Sequence, residues 1–203
     1  MISNNEFDTV YHEHLSYFLV NSFKTLVERL NFHILDVLQT PIHGGSIRFF
    51  LQKSSGKHTV KIEKLIKTEK TKRLLNEKSY KTYAKKVKKN KRDMLSLLTK
   101  LKSKNKKVIG YGAAAKGNTM LNYFKIDLDY IVDDNELKWG LKTPGRNIPI
   151  KNPQVMKEEK DMLYIAILSW NFYNEIAKKI VAIRGHIKDY AILYVPKVKL
   201  RKI

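Results

Sequence analysis

Residues 106–124, KKVIGYGAAAKGNTMLNYF, limit the possible folds of this chain more than any other stretch. Val108, Ile109 and Tyr111 make a short β-branched and aromatic run of the kind that fills a buried parallel strand. Gly110, Gly112 and Gly117 break the run, and Thr119, Met120, Leu121, Tyr123 and Phe124 follow at helical spacing. Strand, glycine turn and helix together bring backbone N–H groups and a helix N-terminus up to a phosphate in α/β folds. Gly112 allows close backbone approach, and Lys116 sets a cation beside the same anion. Ala115 stands where G-x-G-x-x-G needs its third glycine, and Gly117 comes two positions later. On the residues alone two readings stay open: a phosphate cradle, or a tight turn that only packs helix on strand.

The chain beyond this stretch alternates as a Rossmann-like α/β fold does. The first strand, 108–111, is followed by a second at 128–132 that runs into Asp133 and Asp134. A third is expected at 148–150, an almost wholly apolar fourth at 162–168, a helix over 172–184 and a fifth strand at 190–195. Five strands with right-handed crossovers predict a parallel sheet, order 3-2-1-4-5. Its switch point lies between strands one and four, where open α/β sheets bind ligands outside the carboxyl ends. Gly112, Ala113, Lys116, Gly117 and Asn118 come at the end of strand one, and Trp170 and Asn171 at the end of strand four. Asp133 and Asp134 lie 21 and 22 residues past Gly112, where a ribose-contacting acid is expected. With Gly110 these form the candidate substrate-binding set. Trp170 and Asn171 read as a stacking and positioning pair, with core filling as the alternative for the indole.

Residues 1–53 form an incomplete unit. Residues 7–18, FDTVYHEHLSYF, are too crowded with aromatics and histidines for a surface tail. A helix over 21–30 and strands at 32–37 and 45–51 cannot close a core alone, so this part should dock on another domain or a partner chain. From 57 to 104 the pattern is helical, with Ser79 as candidate cap of the longer helix. Here the formal charge of +21 is concentrated: residues 53–107 hold 21 Lys and Arg against 4 Asp and Glu. Nearly all are lysines, and no nucleic-acid reader motif accompanies them, so a solvated connector is favoured over nucleic-acid binding. With no cysteine, disulfides, zinc-thiolate sites and thiol catalysis are excluded, and no metal site is expected. No apolar run approaches the ~20 residues of a membrane span, and MISNNEFD has no signal-peptide pattern, so a cytoplasmic location is expected.

FDTVYHEHLSYF, HGGSIRFF, VIGYGAAAKGNTMLNYF, IVDDNELKWGLKTPGRNIPI and ILSWNF occur in this order and spacing. In these motifs, and over essentially its whole length, the chain resembles the C-terminal half of the sugar C-methyltransferases. Those enzymes use S-adenosylmethionine to methylate carbon in nucleotide-linked ketodeoxysugars. The resemblance implies three parts: residues 1–53 as the tail of the S-adenosylmethionine domain, 54–105 as a lysine-rich helical connector, and 106–203 as a C-terminal Rossmann-like nucleotide-sugar-binding domain. The zinc cysteines and early glycine loop of such enzymes are missing here, and a separate chain supplying the zinc and S-adenosylmethionine domains is one partner the resemblance leaves open.

Methylating a carbon next to a ketone needs a base to take the α proton, and imidazole, with an ordinary pKa of about 6.5, suits that task. By resemblance His14 is the candidate base, Glu13 orients it or tunes its basicity, and Tyr11 hydrogen-bonds the sugar or enolate oxygen. His12 is either part of this set or structural. His43, Ser46 and Arg48 match a family motif with no role assigned. Lys116 and the turn amides are expected to hold the pyrophosphate. Three functions share this fold: an enzyme part, a nucleotide-sugar-binding module without chemistry, and an inactive gene remnant.

Overall fold

The computed structural model describes residues 1–42, 45–53, 56–57, 59–185 and 188–203. Two compact units emerge: residues 14–85 with Met1, and residues 2–13 with 86–203. Residues 2–13 thus group with the C-terminal unit, whereas the sequence boundary sets them beside the hairpin. The reason is chemical. Phe7 stacks on Phe124 at 4.8 Å between ring centroids and meets Tyr194 at 6.1 Å, so an aromatic side chain anchors the segment there.

The first unit contains α1 (Val20–Arg29), β1 (His33–Thr40), β2 (Ser46–Gln52) and α2 (Val60–Thr71). β1 and β2 pair antiparallel, with a shift in register between Ile34 and Asp36. Val20, Val27, Ile34, Val37, Ile62 and Ile66 form its small core, with Phe23 packed on Phe49 at 4.2 Å. α1 has no side-chain cap of its own. Its leading N–H groups, from Val20 and Asn21, donate instead to the buried carboxylate of Glu69 in α2, at 2.6 and 3.0 Å. A helix N-terminus is a natural seat for a carboxylate.

α3 (Glu77–Lys102) enters the second unit, where it buries Val87, Asn90, Met94, Leu98 and Leu101. Ser79 does not cap it: its hydroxyl donates to Arg73 O, and Asn76 accepts from Lys78 N–H at 2.8 Å. The sheet has six strands in the order β5 (Ile150–Lys151), β4 (Ile131–Val132), β3 (Val108–Tyr111), β6 (Tyr164–Ile167), β7 (Tyr190–Leu193) and β8 (Lys199–Lys202). The expected 3-2-1-4-5 arrangement is present in the first five, all parallel. β8, absent from the sequence reading, adds an antiparallel edge. Its residues, KLRK, are exposed and carry no apolar alternation, and charged side chains of this kind are how an edge strand resists further pairing. α4 (Ala115–Phe124) and α5 (Tyr173–Arg184) follow β3 and β6. No described helix is long and apolar enough to cross a membrane.

Candidate functional site

The carboxyl ends of β3, β4 and β6 meet as the topology requires. Gly112 N–H donates to Val132 O at 2.8 Å, and Leu168 N–H to Tyr111 O at 2.9 Å. Gly112 has φ +92°, and a Cβ there would fall 2.5 Å from Ser169 Oγ. Gly117 serves packing: a Cβ would lie 2.6 Å from Leu168 Cβ, so its absence lets α4 close on the chain after β6. Gly110 is buried in mid-strand, where it lines no surface.

Asp133 and Asp134 part company. Asp133 is buried and uses both oxygens locally, Oδ2 accepting from Ala113 N–H at 2.6 Å and Lys138 Nζ at 3.2 Å, Oδ1 from Asn135 N–H at 2.8 Å. It braces the loop after β3. Asp134 is exposed; its carboxylate accepts from the Tyr111 hydroxyl at 2.7 Å and from Lys179 Nζ at 2.8 Å. Partial burial raises the Asp134 carboxyl, but the bonds from Lys179 and Tyr111 outweigh it and hold it below the ordinary range. The bond to Asp134 in turn raises Lys179. Burial first, and then the bond to Asp134, push Tyr111 up.

Two cavities share Tyr111, Asp134 and Lys179. One, of about 500 Å³, extends to Glu136, Trp139, Asn152, Pro153, Gln154, Ala182 and Ile183. The other, of about 150 Å³, reaches Gly112, Asp133, Ser169, Phe172, Glu175 and Ile176. Their acids and aromatics suit hydroxyls and a ring better than a polyanion.

At the head of α4 the chemistry has the opposite sign. Its N-terminus has Ala114 as cap, a residue with no side-chain acceptor for the first-turn N–H groups. Lys116 Nζ lies 5.0 Å from the centre of the Trp170 ring. Trp170 Nε1–H donates to Asp8 Oδ2 at 2.7 Å, and the Tyr194 hydroxyl is hydrogen-bonded to the same oxygen at 2.8 Å. Asn118 turns along the helix, its Oδ1 accepting from Asn122 Nδ2 at 3.1 Å. Asn171 sits partly buried in the 3-10 turn Trp170–Phe172.

The remaining candidates lie elsewhere. Tyr11 is half-buried and meets the exposed His12 edge to face at 6.2 Å, and Glu13 is exposed. These three belong to the second unit, while His14, exposed and 6.4 Å from the Tyr17 ring, belongs to the first. Ser46 donates to Ile42 O at 3.0 Å, Arg48 is exposed on β2, and His43 lies outside the described residues. Asp8, Tyr194, Lys138 and Lys179 escaped the sequence reading. Their partners are as many as 186 residues distant, beyond any periodicity or spacing signal.

The chain matches the family described as the C-methyltransferase C-terminal domain over residues 41–196. It is 30% identical over 181 residues to C-methyltransferase NovU of Streptomyces niveus, an alignment covering 87% of this chain and 43% of that protein. The chain therefore spans less than half the length of this relative. Matched from before β2 through β7, the chain belongs to the C-methyltransferases and carries their C-terminal domain.

Proposed function

We propose that this chain is the nucleotide-sugar-binding part of an S-adenosylmethionine-dependent C-methyltransferase acting on a ketodeoxysugar. One observation carries the reading: a helix N-terminus with no side-chain acceptor at its cap, beside Lys116 and Trp170, at the carboxyl edge where β3 and β6 diverge. Backbone N–H groups and a lysine hold a pyrophosphate there. Asp134 serves the ribose better than Asp133, because it is exposed at the rim of both cavities while Asp133 braces its loop. His14 takes the α proton of the ketosugar, with Glu13 and Tyr11 assisting, and the resulting enolate is the nucleophile.

The methyl group comes from S-adenosylmethionine. The described residues of the first unit form a hairpin and helices, with no strand, glycine turn and helix to seat that donor. S-adenosylmethionine does not fit this unit. This reading requires a donor-binding domain beyond the described residues, in the same protein or in a partner chain. The outward apolar side chains of the first unit, among them Leu15, Leu30, Leu38 and Phe50, offer it a seat. The same missing element favours a second reading, a binding module without chemistry.

Calorimetric titration with nucleoside diphosphates and their sugar conjugates tests the shared step. Lys116→Ala should weaken binding by about 1–3 kcal/mol, the usual loss of a charge-assisted contact. His14→Ala should leave it nearly unchanged. Normal binding by Lys116→Ala together with abolished binding by His14→Ala would reverse the assignment of the two sites.

A further inference from the structure

Asp8 has no part in the substrate or base roles above, yet it is the most completely buried acid of the chain, at 0% exposure. It lies in the 3-10 turn Phe7–Thr9, directly ahead of Tyr11, His12 and Glu13. Its Oδ1 is buried with no hydrogen-bond partner. Its Oδ2 lies 2.7 Å from Trp170 Nε1 and 2.8 Å from the Tyr194 hydroxyl, which is itself 3.1 Å from Leu168 O.

Counting protons decides how these bonds run. A tyrosine hydroxyl has one proton to give, and a peptide carbonyl can only accept. If Asp8 is ionised, its Oδ2 and Leu168 O compete for the single Tyr194 proton, and Oδ1 is a buried charged oxygen with no hydrogen-bond partner, Asp8's own N–H supporting the charge only weakly. With a proton on Oδ2 the bonds run one way, from Asp8 to Tyr194 and from Tyr194 to Leu168 O. Oδ1 is then a neutral carbonyl oxygen, far cheaper to leave unpaired than a carboxylate. Burial pushes the Asp8 carboxyl up, against the bonds from Trp170 and Tyr194 and the charge of Lys116. Burial and Asp8 raise Tyr194 in turn, so it stays a donor. The ionisable groups around Asp8 are Lys116 and Tyr123 on α4, Tyr194 after β7, and Glu6 in its own segment, whose Oε1 accepts from Asn4 Nδ2 at 2.9 Å.

We propose that Asp8 is a positioning residue, a neutral carboxylic acid that pins the segment carrying Tyr11, His12 and Glu13 to the carboxyl end of β6 through Trp170 and Tyr194. Phe7 supplies the apolar half of the pin against Phe124. Trp170 gives one edge to this pin and its ring to Lys116, so the anion-binding lysine and the pinned segment share one indole. That the segment serves proton removal rests on the proposed function; the pin itself does not.

The test follows the Trp170 indole N–H resonance of the ¹⁵N-labelled chain from pH 3.5 to 8, assigned by its loss in Trp170→Phe. It should move with a single midpoint above the ordinary aspartate value of about 3.9. Asp8→Asn should abolish the titration, because an amide carries no proton that ionises in this range. A midpoint at or below the ordinary value, or a titration that persists in Asp8→Asn, overturns the proposal. In a complex reconstituted with the donor-binding chain, Asp8→Ala should lower kcat about tenfold or more with KM for the nucleotide sugar within about twofold. Asp8→Asn, whose amide can keep either the bond to Tyr194 or the bond from Trp170, should lower kcat less than Asp8→Ala. Unchanged kcat in Asp8→Ala refutes positioning. A wild-type complex without activity, alongside the expected titration, refutes the proposed function and leaves the pin standing.

Discussion

The two units keep their apolar side chains in different ways. In the second, Ile109, Ile131, Ile165, Ile167, Ala191 and Ile192 are all at 0% exposure, in strands flanked on both sides by neighbours. In the first, a two-stranded sheet has only one covered face, and Leu38, Ile47, Phe50 and Leu51 are exposed on its strands. A hairpin with one packed face is marginal, whereas a six-stranded sheet closes its own core. The difference teaches that the second unit closes its own core, while the first leaves apolar side chains of its strands exposed. Their buried acids differ likewise. Glu69 is answered by two N–H donors at the head of α1, whereas both hydrogen bonds of the Asp8 side chain fall on one oxygen.

The sharpest way to break the comparison is at Arg184. Its guanidinium and Asp189 are a pair at 1% side-chain exposure each, and it also donates to Met156 O, Glu159 O and Asp161 O. Arg184→Ala leaves Asp189 buried and uncompensated, which should cost the second unit about 3–5 kcal/mol. Amide exchange in β6 and β7 should accelerate accordingly, with β1 and β2 little changed. Lys61→Ala, which removes an exposed pair with Asp36, should leave exchange in the first unit little changed. Equal losses would end the distinction.

Next comes the core itself. Ile165→Ala in the central strand should cost about 2–5 kcal/mol by denaturant unfolding. Phe50→Ala, at 45% exposure in β2, should cost about 0.5 kcal/mol or less in the isolated chain. A large loss for Phe50→Ala would mean that its ring is already covered.

The smallest effect concerns pH. Bonds from Lys61 and Thr59 hold the Asp36 carboxyl at about 2. A depressed native value contributes stability above the unfolded value and loses it as pH falls through the native one. The first unit should therefore weaken between about pH 4 and 2, and Asp36→Asn should flatten that fall, read from exchange in β1. Asp8 has the opposite sign: a raised native value contributes stability below the unfolded value and loses it as pH rises through the native one. Acid should therefore favour one unit at Asp8 and weaken the other at Asp36; a shared pH dependence would erase the contrast.

By itself the sequence determined the element types, the parallel order of five strands, and the stretches that end at the carboxyl edge. These follow from local periodicity, glycine placement and crossover handedness, all carried by residues close in the chain. The motifs at FDTVYHEH, VIGYGAAAKG and ILSWNF sufficed for the family. Only the tertiary structure decided which of two adjacent aspartates faces solvent, because Asp133 is claimed by Ala113 and Lys138 across a loop. It alone showed β8, whose exposed KLRK has no alternation to read. It also moved residues 2–13 to the C-terminal unit, since Asp8 meets Trp170 and Tyr194 across 162 and 186 residues. Hydrogen-bond partners that distant leave no trace in spacing; they exist once the sheet has formed and its carboxyl edge gathers them.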